Sequence, residues 1–99
     1  EQYGKARTTF LSIVEKNTTN AEAYYYLGDF YIKQYILDTM LVESLDSAIV
    51  QFDKGISIDP KSALNMAGKG TVSYLRKNWG ESANYFEQAL KTSKAKNAK

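Results

Sequence analysis

Small and bulky apolar residues recur along the chain at fixed intervals. In three places a small residue is followed four positions later by phenylalanine, and three positions after that by another small or apolar residue. The three copies are Ala6, Phe10 and Ile13; Ala48, Phe52 and Gly55; and Ser82, Phe86 and Ala89. Positions i, i+4 and i+7 share one face of an α-helix. The pattern therefore predicts three copies of one helix, the last two of them 34 residues apart.

A second pattern lies between these copies. It places an aromatic residue, an apolar residue, a glycine and a tyrosine along another helix. The copy that matches fully is Tyr24, Leu27, Gly28 and Tyr31. A looser copy follows, in which Met66, Gly70 and Ser73 occupy the places of the aromatic residue, the glycine and the tyrosine, with Tyr74 next to the last place. Glycine lets a neighbouring helix approach closely, and the bulky residues fill the space between the two helices. The sequence thus alternates two kinds of helix that are suited to pack on each other.

Taken together, the two patterns resemble the tetratricopeptide repeat (TPR), a 34-residue unit that reads W-x2-L-G-x2-Y, then A-x3-F, then proline. Pro60, which follows Asp59, supplies the closing proline. The resemblance covers nearly the whole chain. It implies an all-α fold in which antiparallel helix-turn-helix repeats stack in a right-handed superhelix of about five helices.

The repeat frame predicts where these helices lie in the 99 residues. We expect helices at about 2–16, 21–37, 41–58, 62–76 and 79–95. They form a single TPR-like domain, 1–99. Within it, 1–20 supplies the second helix of a partial first repeat, 21–60 the second repeat, and 61–99 the third repeat with a basic tail.

The chain opens on the second helix of a repeat, so we expect a fragment of a longer solenoid whose end helices lack a neighbour. The residues left partly uncovered would be Phe10, Leu11 and Val14 at one end and Tyr85, Phe86 and Leu90 at the other. Exposed apolar helix faces of this kind favour self-association or a capping helix.

The second repeat is about eight residues too long, and the extra segment falls near 35–42. Eight residues correspond to about one added turn on each of two antiparallel helices, with Asp38 and Thr39 at the turn and as N-cap candidates for the second. Two interpretations stay open. Either the lengthened helices pack on each other and bury the added side chains, or these project as a patch for a partner. The patch would comprise Tyr35, Ile36, Met40 and Leu41.

The resemblance also implies a binding site. In TPR proteins, ligands usually lie in the concave groove lined by the first helix of each repeat, at five places of that helix. These places hold Glu22, Tyr25, Asp29, Ile32 and Lys33 in the second repeat, and Leu64, Ala67, Thr71, Tyr74 and Leu75 in the third. We expect Tyr25 and Tyr74 to anchor a peptide, because tyrosine offers a large contact area and a hydroxyl. The alternative is a face that is solvated or covered by a neighbouring repeat.

Composition narrows the function further. The chain has no cysteine and no histidine, which excludes disulfides, thiolate nucleophiles, Cys/His zinc sites and the usual near-neutral proton shuttle. We therefore expect neither an enzyme nor a bound metal or cofactor. The only arginines are Arg7 and Arg76, which disfavours a nucleic-acid partner. The chain has no run of about 18 apolar residues, so the sequence does not predict insertion into a membrane.

Charge is unevenly distributed along the chain. Residues 1–60 carry five Lys or Arg against nine Asp or Glu, whereas 61–99 carry eight against two.

The sequence as a whole predicts a non-catalytic interaction or scaffolding module that binds a protein or peptide; the alternative is a purely structural segment of a longer solenoid. The compartment stays open between cytoplasm and cell envelope, and the divergent repeats are more typical of a bacterial protein.

Overall fold

The structure is a computed structural model, and it describes residues 20–97, with side chains to residue 95. Four helices fill this part of the chain: α1 (Ala21–Leu37), α2 (Glu43–Ile58), α3 (Ala63–Leu75) and α4 (Trp79–Asn97). No strand occurs among the described residues. The predicted all-α fold is confirmed. The helix predicted over 2–16 lies outside the described residues, as do the end residues Phe10, Leu11 and Val14.

The four helices form two hairpins. Helix α1 packs along α2, and α3 packs along α4, while α3 also contacts both helices of the first hairpin. Each hairpin is one predicted repeat. Because the second hairpin rests on both helices of the first, stacking the repeats buries apolar surface that neither hairpin could bury alone.

Local signals in the sequence determine most helix ends. Asn20 accepts a hydrogen bond from the backbone N–H of Glu22 (2.9 Å), and Ser62 accepts one from that of Asn65 (3.3 Å). Both side chains therefore cap an N-terminus, at α1 and at α3. Helix α2 ends just before Pro60, because proline disfavours the helical conformation in the residue that precedes it.

The turn between α1 and α2 differs from the prediction. Helix α2 begins at Glu43 rather than at about 41, and its N-cap residue Val42 makes no side-chain cap hydrogen bond. The carboxylate of Asp38 instead accepts a hydrogen bond from the N–H of Met40 (3.0 Å), and the Asp38 carbonyl accepts one from the N–H of Leu41 (3.0 Å). Asp38 therefore closes the turn after α1 and does not cap α2.

Phe52 lies at the centre of the core and is fully buried. A methyl group added to Gly28 of α1 would lie 2.6 Å from Cζ of the Phe52 ring, and one added to Gly68 of α3 would lie 2.5 Å from the same atom. Both helices thus require glycine where they close on this ring. The role of Gly28 was predicted from the repeat pattern. That of Gly68 was missed, because the pattern placed the small residue of α3 at Gly70.

A buried asparagine connects the first three helices. Nδ2 of Asn65 donates hydrogen bonds to the carbonyl oxygen of Ala21 (3.0 Å) and to Oγ of Ser62 (2.8 Å). The side chain lies against Gly55 of α2, where an added methyl group would fall 2.5 Å from Cγ of Asn65. Because a buried donor is costly to leave unpaired, the two hydrogen bonds of Nδ2 favour a single arrangement of the three helices, while the buried Oδ1 of Asn65 has no hydrogen-bond partner among the described residues.

Two ion pairs cross the interface between the hairpins. Asp53 of α2 pairs with Lys69 of α3 (2.7 Å), and Asp46 pairs with Arg76. Burial lowers the pKa of the Lys69 ammonium, but the hydrogen bond and charge of Asp53 outweigh burial, so this pKa lies above its usual value. The acidic second repeat and the basic third repeat therefore attract each other within the molecule.

The outer face of α4 has no neighbour among the described helices. Phe86 is 41% exposed and Leu90 is also exposed, while Tyr85 is half-buried beside Lys69. Phe86 occupies the same place in its repeat as Phe52, yet only one described helix closes on it, at Gly70. Equivalent positions of the repeat thus differ in burial.

Candidate functional site

The predicted groove residues of α1 lie partly in solvent. Glu22 is exposed and accepts a hydrogen bond from the hydroxyl of Tyr26 (3.0 Å), while Asp29 and Lys33 form an ion pair one turn apart (3.0 Å). Tyr25 is half-buried, with its ring centre 6.0 Å from that of Phe52. Burial, and next the charge of Asp29, raise the pKa of the Tyr25 phenol above its usual value.

Ile32 is an exception among the predicted groove residues. It is 4% exposed and belongs to the core cluster that contains Phe52 and Val72. Helix α1 is covered by α2 and α3 together, so its buried face is wider than that of a helix with one neighbour. The prediction that Ile32 lines the groove is therefore wrong, and the α1 side of the surface consists of the other four residues and Tyr26.

The predicted groove residues of α3 form one stripe along the helix. Leu64 and Tyr74 are exposed at its two ends. Between them Ala67 and Thr71 are half-buried, and the Thr71 hydroxyl donates a hydrogen bond to the Ala67 carbonyl (3.1 Å). Leu75 packs against the core. The surface between this stripe and the α1 residues is called the α1–α3 groove below.

An exposed aromatic pair lies at one end of the α1–α3 groove. The Tyr74 ring packs edge to face on Trp79, with centres 5.2 Å apart, and the two side chains are 58% and 57% exposed. The turn between α3 and α4 brings them together, with Lys77 in the left-handed backbone region (φ 65°). Trp79 was not among the site residues predicted from the sequence. That it is the only tryptophan and follows a turn was the available signal.

The other end of the α1–α3 groove is a polar pocket between the N-termini of α1 and α3. Its volume is about 340 Å³, and its lining includes the acidic side chains of Glu22 and Asp59 together with Leu64. Leu64 and Tyr74 are ten residues apart on α3, which at ~1.5 Å per residue separates the two ends of the groove by about 15 Å. The groove therefore combines an acidic pocket with an aromatic pair.

The inserted segment forms an exposed apolar surface. Met40 is 87% exposed, and the side chains on either side of it in the hairpin are exposed as well. This surface, called the apolar tip below, consists of Ile36, Leu37, Met40, Leu41 and Val42. The structure thus differs from the interpretation in which the lengthened helices bury the added residues. Tyr35 was predicted in the patch, but it is half-buried and packs against the core.

We expect the apolar tip to contribute little to folding. Replacing Met40 and Leu41 together by serine should change the free energy of unfolding by less than about 1 kcal/mol, because surface substitutions of side chains that are already in water cost little. Urea denaturation followed by circular dichroism measures this change. A loss of several kcal/mol would show that the two side chains are buried after all.

Residues 20–97 contain no group of three or more acidic side chains placed to hold a metal ion. No described helix is both long enough and apolar enough to span a lipid bilayer.

Comparison with known proteins agrees with the fold. No protein-family model matches the chain, and no curated protein is significantly similar to it in sequence. Among solved structures, "MamA 41-end from Desulfovibrio magneticus RS-1" aligns over 98% of this chain with a TM-score of 0.75 and 21% identity. "MamA RS-1 ArsTM double mutant" aligns over 99% with a TM-score of 0.73 and 20% identity.

The chain spans about half the length of each of these MamA structures, 50% and 51%. The TM-scores establish a shared fold, and identity this low leaves the activity open. The two matched hairpins, with glycines closing on Phe52, therefore have the TPR-like helical-repeat fold that the sequence pattern predicted.

Proposed function

We propose that the chain is a non-catalytic protein-interaction module that binds a protein segment along the α1–α3 groove. The observation that carries this proposal is the exposed aromatic pair of Tyr74 and Trp79, on a stripe that also exposes Leu64. Large aromatic side chains are enriched among the residues that anchor protein partners. Stacked helical repeats also offer the extended surfaces that scaffolding proteins use, which supports the same function.

The two ends of the α1–α3 groove favour a particular kind of segment. The pocket at Glu22 and Asp59 suits a lysine or arginine side chain, because a carboxylate forms charge-assisted hydrogen bonds with these cations. The aromatic pair suits an apolar or aromatic side chain. A separation of about 15 Å is spanned by about five residues of extended chain at ~3.3 Å each. The ligand is therefore a short segment with a basic residue about five positions from an apolar one.

A random peptide library displayed on phage tests this proposal. Panning against the 99-residue chain is expected to enrich peptides with that spacing, and the affinity of a labelled winner is measured by fluorescence anisotropy. Tyr74→Ala should weaken binding by about 5- to 30-fold, because truncating an aromatic anchor commonly costs about 1–2 kcal/mol or more. Glu22→Gln should weaken binding of peptides that carry the basic residue, and not of the same peptides with that residue replaced by alanine.

Val50→Ser provides the matched control. Val50 is an exposed apolar residue of α2, a helix that contributes nothing to the α1–α3 groove, so its substitution should leave the affinity unchanged. The proposal is wrong if panning enriches no peptide, in which case the purely structural alternative gains support. It is equally wrong if the enriched peptides bind Tyr74→Ala and Leu64→Ser as tightly as the unsubstituted chain.

A further inference from the structure

A pocket lies beside the apolar tip, in the α1–α2 hairpin. Its volume is about 360 Å³, and its lining includes the tip residues Met40, Leu41 and Val42 together with Tyr31 and Gln34 of α1. Tyr31 is buried, whereas the three tip residues are exposed. The pocket, called the tip pocket below, therefore runs from the core of the hairpin out to the apolar tip.

The start of α2 adds polar groups to the tip pocket. Glu43 and Ser44 belong to its lining, and Oγ of Ser44 donates a hydrogen bond to Oε1 of Gln34 across the two helices (3.5 Å). Glu43 is exposed, as is Asp38 in the turn before α2, and neither carboxylate forms an ion pair with a described residue. The apolar tip is thus bordered by two carboxylates that no described cation neutralises.

The other charged groups at this end of the described helices leave it acidic. The second half of α1, the turn and start of α2, and the α3–α4 turn with the start of α4 together hold five carboxylates and three cations: Asp29, Asp38, Glu43, Asp46, Glu81, Lys33, Arg76 and Lys77. Lys33 is paired with Asp29, and Arg76 with Asp46. Lys77 then stands against three carboxylates. Complementary charge therefore favours a cationic partner at the apolar tip.

The backbone of the turn between α1 and α2 is already hydrogen-bonded. The N–H of Asp38 donates to the carbonyl of Gln34 (3.0 Å), and the N–H groups of Met40 and Leu41 both donate to Asp38 (3.0 Å each). An extended peptide on this surface would leave backbone groups of its own without partners, whereas a helix pairs its backbone groups internally. The surface therefore favours a helical partner, which presents side chains alone.

We propose that the apolar tip and the tip pocket together bind a basic amphipathic helix of a partner protein. One large apolar side chain of this helix enters the tip pocket beside Met40, and lysine or arginine residues that border its apolar face lie against Asp38 and Glu43. Methionine suits such a contact, because its unbranched side chain adapts to varied shapes. A lipid surface fits less well, because it would desolvate the two carboxylates without pairing them.

The site differs from the α1–α3 groove. The residues that contact the helix lie on the α1–α2 hairpin, and none of them was assigned to the groove. The inference therefore goes beyond the proposed function and does not rest on it. A chain with both sites would hold two different partner segments at once.

A phage-displayed library of helical peptides tests this proposal. Each peptide carries apolar residues at positions i, i+3, i+4 and i+7, and the flanking positions are randomised. Selection on the 99-residue chain is expected to enrich lysine and arginine beside the apolar face. The affinity of a labelled selected helix is measured by fluorescence anisotropy. It should fall several-fold between about 0.05 M and about 0.3 M NaCl, because salt screens the charge contacts at the exposed border.

Two variants probe the apolar and the charged contacts separately. Met40→Ser should weaken binding of the selected helix by about 5- to 30-fold, since it removes the apolar wall of the tip pocket. Glu43→Lys should weaken it by at least about tenfold, because it places like charges together. Replacing the lysines of the helix by glutamate, one at a time, should yield a helix that binds Glu43→Lys better than the unsubstituted chain. Both positions are exposed, so both variants should keep the circular dichroism spectrum.

Matched controls make the same changes elsewhere. Val50→Ser and Glu87→Lys lie at exposed positions of α2 and α4 outside the tip pocket, and should bind the selected helix as the unsubstituted chain does. Met40→Ser should in turn keep full affinity for a peptide selected on the α1–α3 groove, and that peptide at saturation should not displace the helix. Failure of one site is thus distinguished from failure of the other.

The proposal is overturned if no helix is selected, or if the selected helices bind Met40→Ser and Glu43→Lys as tightly as the unsubstituted chain. Other occupants of the apolar tip would be recognised directly and would also overturn it. Phosphatidylcholine vesicles that bind the unsubstituted chain and not Met40→Ser would assign the tip to a lipid surface. Oligomers that Met40→Ser dissociates in sedimentation velocity would assign it to a second copy of the chain.

Discussion

Replacing Phe52 by alanine is expected to lower the free energy of unfolding by about 3–5 kcal/mol, the range measured for truncating fully buried aromatic residues. The Phe52 ring has no exposed surface, and helices α1 and α3 both close on it through glycines. Its removal leaves a cavity that rigid helix backbones cannot easily fill. For a domain of this size, each kcal/mol lowers the melting temperature by about 4–8 °C.

Phe86→Ala is the matched comparison, because the repeat pattern places Phe86 34 positions after Phe52. Phe86 is 41% exposed and meets one described helix, at Gly70. We expect its truncation to cost less than about 2 kcal/mol, since much of the ring is in water already. Urea denaturation of both variants, monitored by circular dichroism, gives the two values. Equal losses would show that the two repeats are packed alike and that the described difference in burial is wrong.

Replacing Gly68 by alanine is expected to destabilise the protein by about 1–3 kcal/mol, the usual cost of overpacking a tight core. The added methyl group would lie 2.5 Å from Cζ of Phe52, and the ring cannot move toward α1 because Gly28 closes on the same atom. The destabilisation appears although alanine is intrinsically better in a helix than glycine by about 0.5–1 kcal/mol.

Gly80→Ala is the control for this change. Gly80 also lies in a helix, α4, but a methyl group added there meets nothing within 4 Å. With no steric cost, the helix preference of alanine should raise the free energy of unfolding by up to about 0.5–1 kcal/mol. The same substitution is thus expected to have opposite signs at the two sites, measured by thermal unfolding. Stabilisation by Gly68→Ala would mean that α3 does not close on Phe52.

The helices themselves could be predicted because their signals are local. Residues 21–37 were predicted as a helix and observed as one, since Asn20 supplies the cap and the apolar positions recur at helical spacing. The end of α2 before Pro60 and the start of α4 at Trp79 follow in the same way. The start of α2 was placed about two residues too early, because the side chain of Asp38 is able either to cap a helix or to close a turn.

The predicted site residues differ in exposure, because exposure depends on distant parts of the chain. Tyr74 is exposed as a groove residue must be, whereas Ile32 is buried by helices that begin more than ten residues later. Trp79 was missed because its contact with Tyr74 depends on the turn between α3 and α4, which brings the two rings together. The inserted segment could be located from the repeat length, but its exposure could not.

The sequence by itself determined the kind of fold, since the spacing of small and bulky residues specifies which faces of successive helices can meet. It also determined the absence of thiol and imidazole chemistry, which is a matter of composition. Only the tertiary structure decided which residues at equivalent positions of the repeats are buried by neighbouring helices. Asn65 bonds to Ala21 across 44 positions, and Phe52 is closed in by two helices where Phe86 meets one. Burial depends on every helix that packs on a position, and local spacing carries information about only one of them.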